Sequence, residues 1–322
     1  MRPDITIVLN RRIARAARAA LLAAAAVLAG AGAAGADCTA LIERFDAAVA
    51  ARQVAEAKAI EAQVAVDAEC ARDIVKVRRG RAGLQLRLAQ ALLGQGPAGT
   101  AAEQLLAEAS EMLWQAGKAL GDLRLSQRRY ADATISFEDA LETMKNRGKT
   151  PQEPDPAIVA QIFESATRAR LLAAGPEGRA AVYVPAAKDH RDGSVGGSFS
   201  KDIRGFRPKV VPLPIQFETA SAKLSAVGES AAAELLAALR QQQPPRLTLV
   251  GHADERGGEA YNLDLSERRV KAVRAFLMEQ GITAEITAIG RGKSEPLQSP
   301  SLSGLSREEK WALDRRVEWR RE

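Results

Sequence analysis

The feature that most restricts this chain is a change of hydrophobic period near its middle. From Cys38 to about Gly175 the apolar residues recur at helical spacing and strand-like runs are absent. Leu41, Phe45, Ala48 and Val49 share one face, and Leu84, Leu86, Leu88, Leu92 and Leu93 are dense enough for a buried helix. The stretch Gly94 to Gly99 reads as a turn, and helix resumes through Leu105, Leu106, Ala109 and Leu113. After residue 208 strands and helices alternate. Val210–Phe217, Arg246–Gly251, Ala284–Ile289 and Arg315–Arg320 read as strands. Helices are expected at Glu229–Leu239, at Leu265–Gln280 ending on a Gly281 cap, and around Ser306–Ala312. The chain therefore predicts an all-α, repeat-like region over 37–174, then an α+β sandwich over 209–322 with a mixed sheet and helices on one face. Residues 175–208, with Asp192-Gly193-Ser194-Val195-Gly196-Gly197-Ser198, read as a flexible linker between the two. A total of 322 residues suits two folded units of roughly 100–200 residues each.

Charge points away from nucleic acid once its position is noted. The formal net charge is +6, but residues 1–36 carry five arginines (Arg2, Arg11, Arg12, Arg15, Arg18) against Asp4 alone. The rest of the chain is close to neutral and has no basic cluster of the kind a phosphate backbone requires. Those arginines precede an uncharged run from Ala19 to Ala36 that closes on Ala34-Gly35-Ala36. A basic start, a short apolar stretch and a small-residue site describe a secretory signal peptide cleaved after Ala36, with an uncleaved membrane anchor as the alternative. Asp37, where a lipoprotein signal needs a small residue before Cys38, disfavours lipidation.

In an oxidising compartment the two cysteines, Cys38 and Cys70, are expected to form a disulfide. With both cysteines so paired, the two histidines (His190 and His252) are too few for a Cys/His zinc site, and no cofactor is expected. His190, in the linker, reads as a solvated loop residue.

Within the helical region, Leu120-Gly121 is followed by Tyr130, Ala133, Phe137 and Ala140. These spacings resemble a tetratricopeptide repeat over about 34 residues. Small Gly121 and Ala133 would let two helices approach, with Tyr130 and Phe137 filling the gap to a neighbouring hairpin. An ordinary helical bundle is the alternative. Either way the region reads as a docking surface, because it has no histidine and no grouping of nucleophile and base.

Two places in the C-terminal unit fit poorly with a purely structural role. Gly251-His252-Ala253-Asp254-Glu255-Arg256-Gly257 puts charges where a core strand ends. Arg268 and Arg269 fall in the expected first turn of the next helix, against its dipole, with Arg269 at the edge of the apolar stripe. A partly buried arginine needs an anion. Asp254 could supply it, or both could serve a ligand bearing both charges.

Four stretches, GHADERG (251–257), YNLDLSERR (261–269), GITAEITAIGRGKSEP (281–296) and DRRVEW (314–319), resemble the OmpA-like domain of peptidoglycan-associated lipoproteins, outer-membrane protein A and MotB-type stator proteins. That resemblance covers about 210–322. It implies non-covalent binding of the diaminopimelate residue of the peptidoglycan stem peptide. By motif, Asp254 would meet the ligand's ammonium and Arg269 its carboxylate, with Asn262 and Arg315 or Arg316 shaping the pocket. Phe217-Glu218, where the family often has Phe-Asp, and Asp314, where it usually has Asn, are departures.

The sequence thus predicts an exported, non-enzymatic adaptor in the periplasm or cell envelope of a diderm bacterium, with association to the outer membrane left open. Its partners would be peptidoglycan and, through the helical region, a protein. The rivals are a scaffold with an inert OmpA-like pocket and a wall-targeted enzyme with a helical catalytic half.

Overall fold

The computed structural model describes residues 37–96, 99–175, 183–187, 195–298 and 304–321. The signal-segment reading of 1–36 and the loop role of His190 lie outside the described residues.

Seven α-helices are described before the sheet: α1 (Cys38–Ala50), α2 (Val54–Val66), α3 (Ile74–Gly94), α4 (Thr100–Ser110), α5 (Trp114–Ser126), α6 (Tyr130–Lys145) and α7 (Pro156–Ala173). Short turns join most of them, so each helix packs chiefly on its sequence neighbours, as in a stacked solenoid. Local chemistry sets the ends. Asp37 caps α1 by accepting from the Thr39 N–H at 3.0 Å, and Asp155 caps α7 ahead of Pro156 in its first turn. The Cys38–Cys70 disulfide is present, tying the first turn of α1 to the turn after α2. Leu41, Phe45, Ile60, Val64 and Val77 bury against it.

In the α5–α6 hairpin a Cβ on Gly121 would lie 2.6 Å from the Phe137 ring, and one on Gly117 would lie 3.1 Å from Ala140. The small residues bring the helices together as expected. Phe137, however, fills the gap inside its own hairpin. Tyr130 reaches elsewhere, its hydroxyl donating to Glu309 far along the chain.

The C-terminal region holds β1 (Val210–Leu213), α8 (Ala226–Gln242), β2 (Arg246–His252), α9 (Glu259–Glu279), β3 (Glu285–Gly292), α10 (Arg307–Asp314) and β4 (Val317–Arg320). The sheet runs β1-β4-β2-β3, with β2 and β3 parallel and the other pairs antiparallel. One face is apolar. Val211, Leu213, Leu247, Leu249, Ile286, Val317 and Trp319 pack there with Val270, Val273 and Leu277 of α9 and Leu235 and Leu239 of α8. Trp319 sits between Val211 and Leu249 in the strand register. The expected α+β architecture with a mixed sheet is present.

Two expectations need correction. Helix α9 starts at Glu259, not near Leu265, so Arg268 and Arg269 lie mid-helix and the argument from the dipole falls away. Its first turns are polar, with Tyr261 and Leu263 exposed, and show no apolar stripe to the sequence. The flexible joint over 175–208 also fails for the described residues. Val184, Ala186, Ser198, Phe199 and Ile203 are buried, and Phe199 and Ile203 share one core with Phe137 of α6, Ile162 of α7 and the sheet.

Carboxylates hold that segment in place. Glu138 accepts from the Ser198 N–H at 2.8 Å and from its hydroxyl, and Glu142 accepts from the Gly197 N–H at 2.5 Å. Arg170 of α7, 1% exposed, bonds Glu138 at 2.7 Å and lies 3.6 Å from Glu234 of α8. The helices and the sheet are joined by a buried seam.

Candidate functional site

β2 and β3 come close to α9 because a glycine on each strand leaves room. A Cβ on Gly251 would lie 2.7 Å from the Ser266 carbonyl oxygen, and one on Gly290 would lie 2.6 Å from the Glu267 nitrogen. Ser266 also accepts from the Gly292 N–H at 2.8 Å, pinning the helix to β3. The loop after β2 is thereby held over the start of α9, and Asn262 ties it down by donating to the carbonyls of Asp254 (3.2 Å) and Arg256 (2.7 Å).

A cleft of about 280 Å³ opens beside this loop, lined among others by Asp254, Asn262, Arg269 and Arg315. All four residues singled out in the sequence therefore meet at one place. Asp254 is 6% exposed. Its Oδ1 accepts from the backbone N–H and Nε of Arg256, both at 3.0 Å, and its Oδ2 accepts from Arg256 Nη2 at 2.6 Å and Arg315 Nη1 at 2.8 Å. Burial pushes the Asp254 carboxyl up, but the guanidiniums of Arg256 and Arg315 outweigh it and hold the group below its ordinary range.

Arg269, 5% exposed, stacks 5.0 Å from the centroid of the Phe217 ring. It donates to the Ser221 carbonyl at 2.9 Å and lies 3.4 Å from that of Glu218, so it also shapes the loop at the cleft's edge. That loop carries Ala220 at φ 53°, an unusual conformation for a residue with a Cβ. The Glu218 carboxylate points away and bonds Lys223 at 2.5 Å, so the longer side chain at this family departure takes no part in the lining. Asp314 accepts from the Leu297 N–H at 2.8 Å.

The neighbouring arginines Arg315 and Arg316 turn to different places. Arg315 faces the cleft, and its Nη2 is buried without a hydrogen-bond partner among the described residues. Arg316 turns to Glu318 at 2.8 Å. Sequence reasoning missed Arg256, which covers Asp254, and Trp311, whose ring lies 4.5 Å from the Arg256 guanidinium. The signal for Arg256 was present, since an aspartate often engages the backbone and side chain two residues ahead.

The cleft's charged lining is one carboxylate and three guanidiniums. It suits a small ligand with carboxylates and an ammonium. Among the described residues the one cluster with metal-ligand chemistry is Cys38, Asp67 and Cys70, and its sulfurs are already joined to each other. No described helix is long and apolar enough to cross a membrane.

Comparison with known proteins finds likeness in the C-terminal region. Residues 216–309 match the OmpA family. The C-terminal region is an OmpA-like domain. The peptidoglycan-associated lipoprotein of Pseudomonas aeruginosa is 42% identical over 74 residues, covering 23% of this chain and 41% of that protein. Outer membrane protein A of Escherichia fergusonii is 32% identical over 111 residues, covering 32% of this chain and 46% of that protein. This chain thus spans less than half the length of either relative. A solved structure, the peptidoglycan-associated lipoprotein of Burkholderia pseudomallei, aligns at 25% identity over 34% of this chain and 87% of that one, with a TM-score of 0.28. These relatives bear the names of cell-envelope proteins, not of enzymes, and the envelope location expected from the sequence agrees with them.

Proposed function

We propose that the OmpA-like domain binds peptidoglycan non-covalently by seating the diaminopimelate residue of the stem peptide in the cleft. Asp254 receives the ammonium, Arg269 and Arg315 receive the carboxylate, and Asn262 fixes the loop that presents Asp254. The observation that carries this reading is the gathering of these four side chains on one cleft of about 280 Å³, room for a single amino-acid moiety. Charge-assisted hydrogen bonds on a zwitterion give both affinity and orientation. Arg315 Nη2, a buried donor without a partner among the described residues, supports a carboxylate on that side. That Asp254 and Arg269 both line the cleft favours this reading over an inert scaffold.

The helical half supplies the second role, docking a protein partner. A groove of about 610 Å³ gathers Glu61 of α2, Arg78 and Arg81 of α3, Asp139 of α6 and Lys149 beyond it. Its mixed charges suit a polar segment of another protein. The role is adhesion in the cell envelope and involves no catalysis.

Co-sedimentation with purified peptidoglycan tests the anchor. The parent chain is expected to pellet with the wall, and folded Asp254→Ala and Arg269→Ala variants are expected to stay in the supernatant. A parent that stays in the supernatant overturns the reading.

A further inference from the structure

The Asp254 carboxylate has no acceptor position to spare. A carboxylate offers about four lone-pair sites, and four donors already occupy them. These are the backbone N–H, Nε and Nη2 of Arg256, together with Nη1 of Arg315. An incoming ammonium therefore has to replace a donor.

The donors differ in how readily they can leave. The backbone N–H is fixed. The Arg315 side chain is 10% exposed, and its departure would strand a buried cation. The Arg256 side chain is 53% exposed, so its charge remains hydrated when it lets go. It also has a place to rest, because its guanidinium already lies over the face of Trp311.

We infer that Arg256 is an exchangeable internal counter-ion that occupies Asp254 in the empty cleft, yields it to the ligand's ammonium, and so sets the selectivity of the site. This rests on the reading of the cleft as a diaminopimelate site. The exchange replaces one cation by another, so the buried carboxylate is never left unpaired. A ligand with carboxylates but no ammonium leaves Arg256 in place and binds through Arg269 and Arg315 alone. Arg256 thus weakens binding of the amine-bearing ligand and spares the amine-free one.

Calorimetric titration of the full chain with meso-diaminopimelate and with pimelate, its analogue without amino groups, tests this. Arg256→Ala and Arg256→Gln are expected to bind diaminopimelate roughly tenfold more tightly than the parent, the size of one lost charge-assisted competitor. Pimelate, now facing an uncovered carboxylate, should bind no better, so the affinity ratio widens by at least the same factor. Arg315→Gln should weaken both ligands. Unchanged or weaker diaminopimelate binding in both Arg256 variants, with the parent still binding, overturns the inference and leaves the site reading standing. A parent that binds neither diaminopimelate nor peptidoglycan overturns both together.

Discussion

Two clusters of charge in this molecule use the same residue types for opposite ends. At the seam between helices and sheet, Arg170 lies between Glu138 and Glu234, with Glu142 beside them on Gly197, so carboxylates outnumber guanidiniums. At the cleft the balance is reversed, with three arginines and the single carboxylate of Asp254 in the lining and one side open to solvent. The instructive difference lies in the donors. Each seam carboxylate is met by a backbone N–H, from Ala186, Gly197 or Ser198, which cannot leave without unfolding the segment. Asp254 is met largely by side-chain guanidiniums, one of them half exposed. A buried charge fixed by backbone is a fastener, whereas one covered by a long side chain can change partners.

The largest effect should come from breaking the fastener. Gly197 sits at φ 51°, and a Cβ there would be driven into Glu138 Oε2. Gly197→Ala is expected to cost about 3 kcal/mol or more in urea unfolding, from backbone strain and a disrupted buried ion pair together. Next comes the disulfide, remote from both clusters. Reducing Cys38–Cys70, which are 32 residues apart, should cost about 3 kcal/mol by the chain-entropy argument while leaving wall binding intact. A loss of binding on reduction would show that the two halves are coupled through more than the seam.

Asp254→Asn should keep the shape of the cleft and lower the affinity for diaminopimelate at least tenfold, roughly 1.4 kcal/mol, as read by titration. The equivalent change at the seam, Glu138→Gln, should alter stability and leave affinity unmoved.

Acid provides the finest comparison. Asp254 is held below its ordinary range, so its stabilising contribution is present above the ordinary carboxylate pKa and is lost as pH falls through its lowered value. Glu318 on β4 behaves alike. Burial raises it, but His252, 3.4 Å away, and Arg316 pull it down to about 2. Glu234 at the seam is shifted the other way, upward, by burial that outweighs Arg170 and the Ala186 N–H. Its ionised form is the one disfavoured by folding, so lowering the pH relieves that cost. Unfolding midpoints between roughly pH 5 and 2 should therefore fall for the parent. They should fall more steeply in Glu234→Gln, which removes the opposing contribution.

Much of the fold was legible because its signals are local. Strands and helices alternate along 209–322, Gly281 takes the left-handed conformation predicted for a helix end, and Gly121 fits closely against Phe137. Asp254 and Arg269 were legible as charges at a strand end and at the edge of an apolar stripe, whereas Asn262 and Arg315 came only through motif resemblance. What escaped depends on distant partners. Gly196 and Gly197 look like joint residues by composition, yet their missing side chains admit Glu142 and Glu138 from helix α6, more than fifty positions earlier. No local window contains that pairing. The start of α9 escaped for a different reason, because the buried polar Asn262 and exposed Tyr261 invert the usual pattern where the helix borders the cleft.

The seam has a mechanical consequence. Had 175–208 been a free tether, a body gripping the wall at one end could drift over a wide arc at the other, and any pull would first take up slack. Among the described residues, α6, α7 and the segment from Gly196 to Ile203 instead share a continuous core with the sheet, so these helices are fixed against the unit that carries the cleft. Such an arrangement behaves as a ruler, not a leash: load applied to those two helices reaches the sheet at once, through packed side chains.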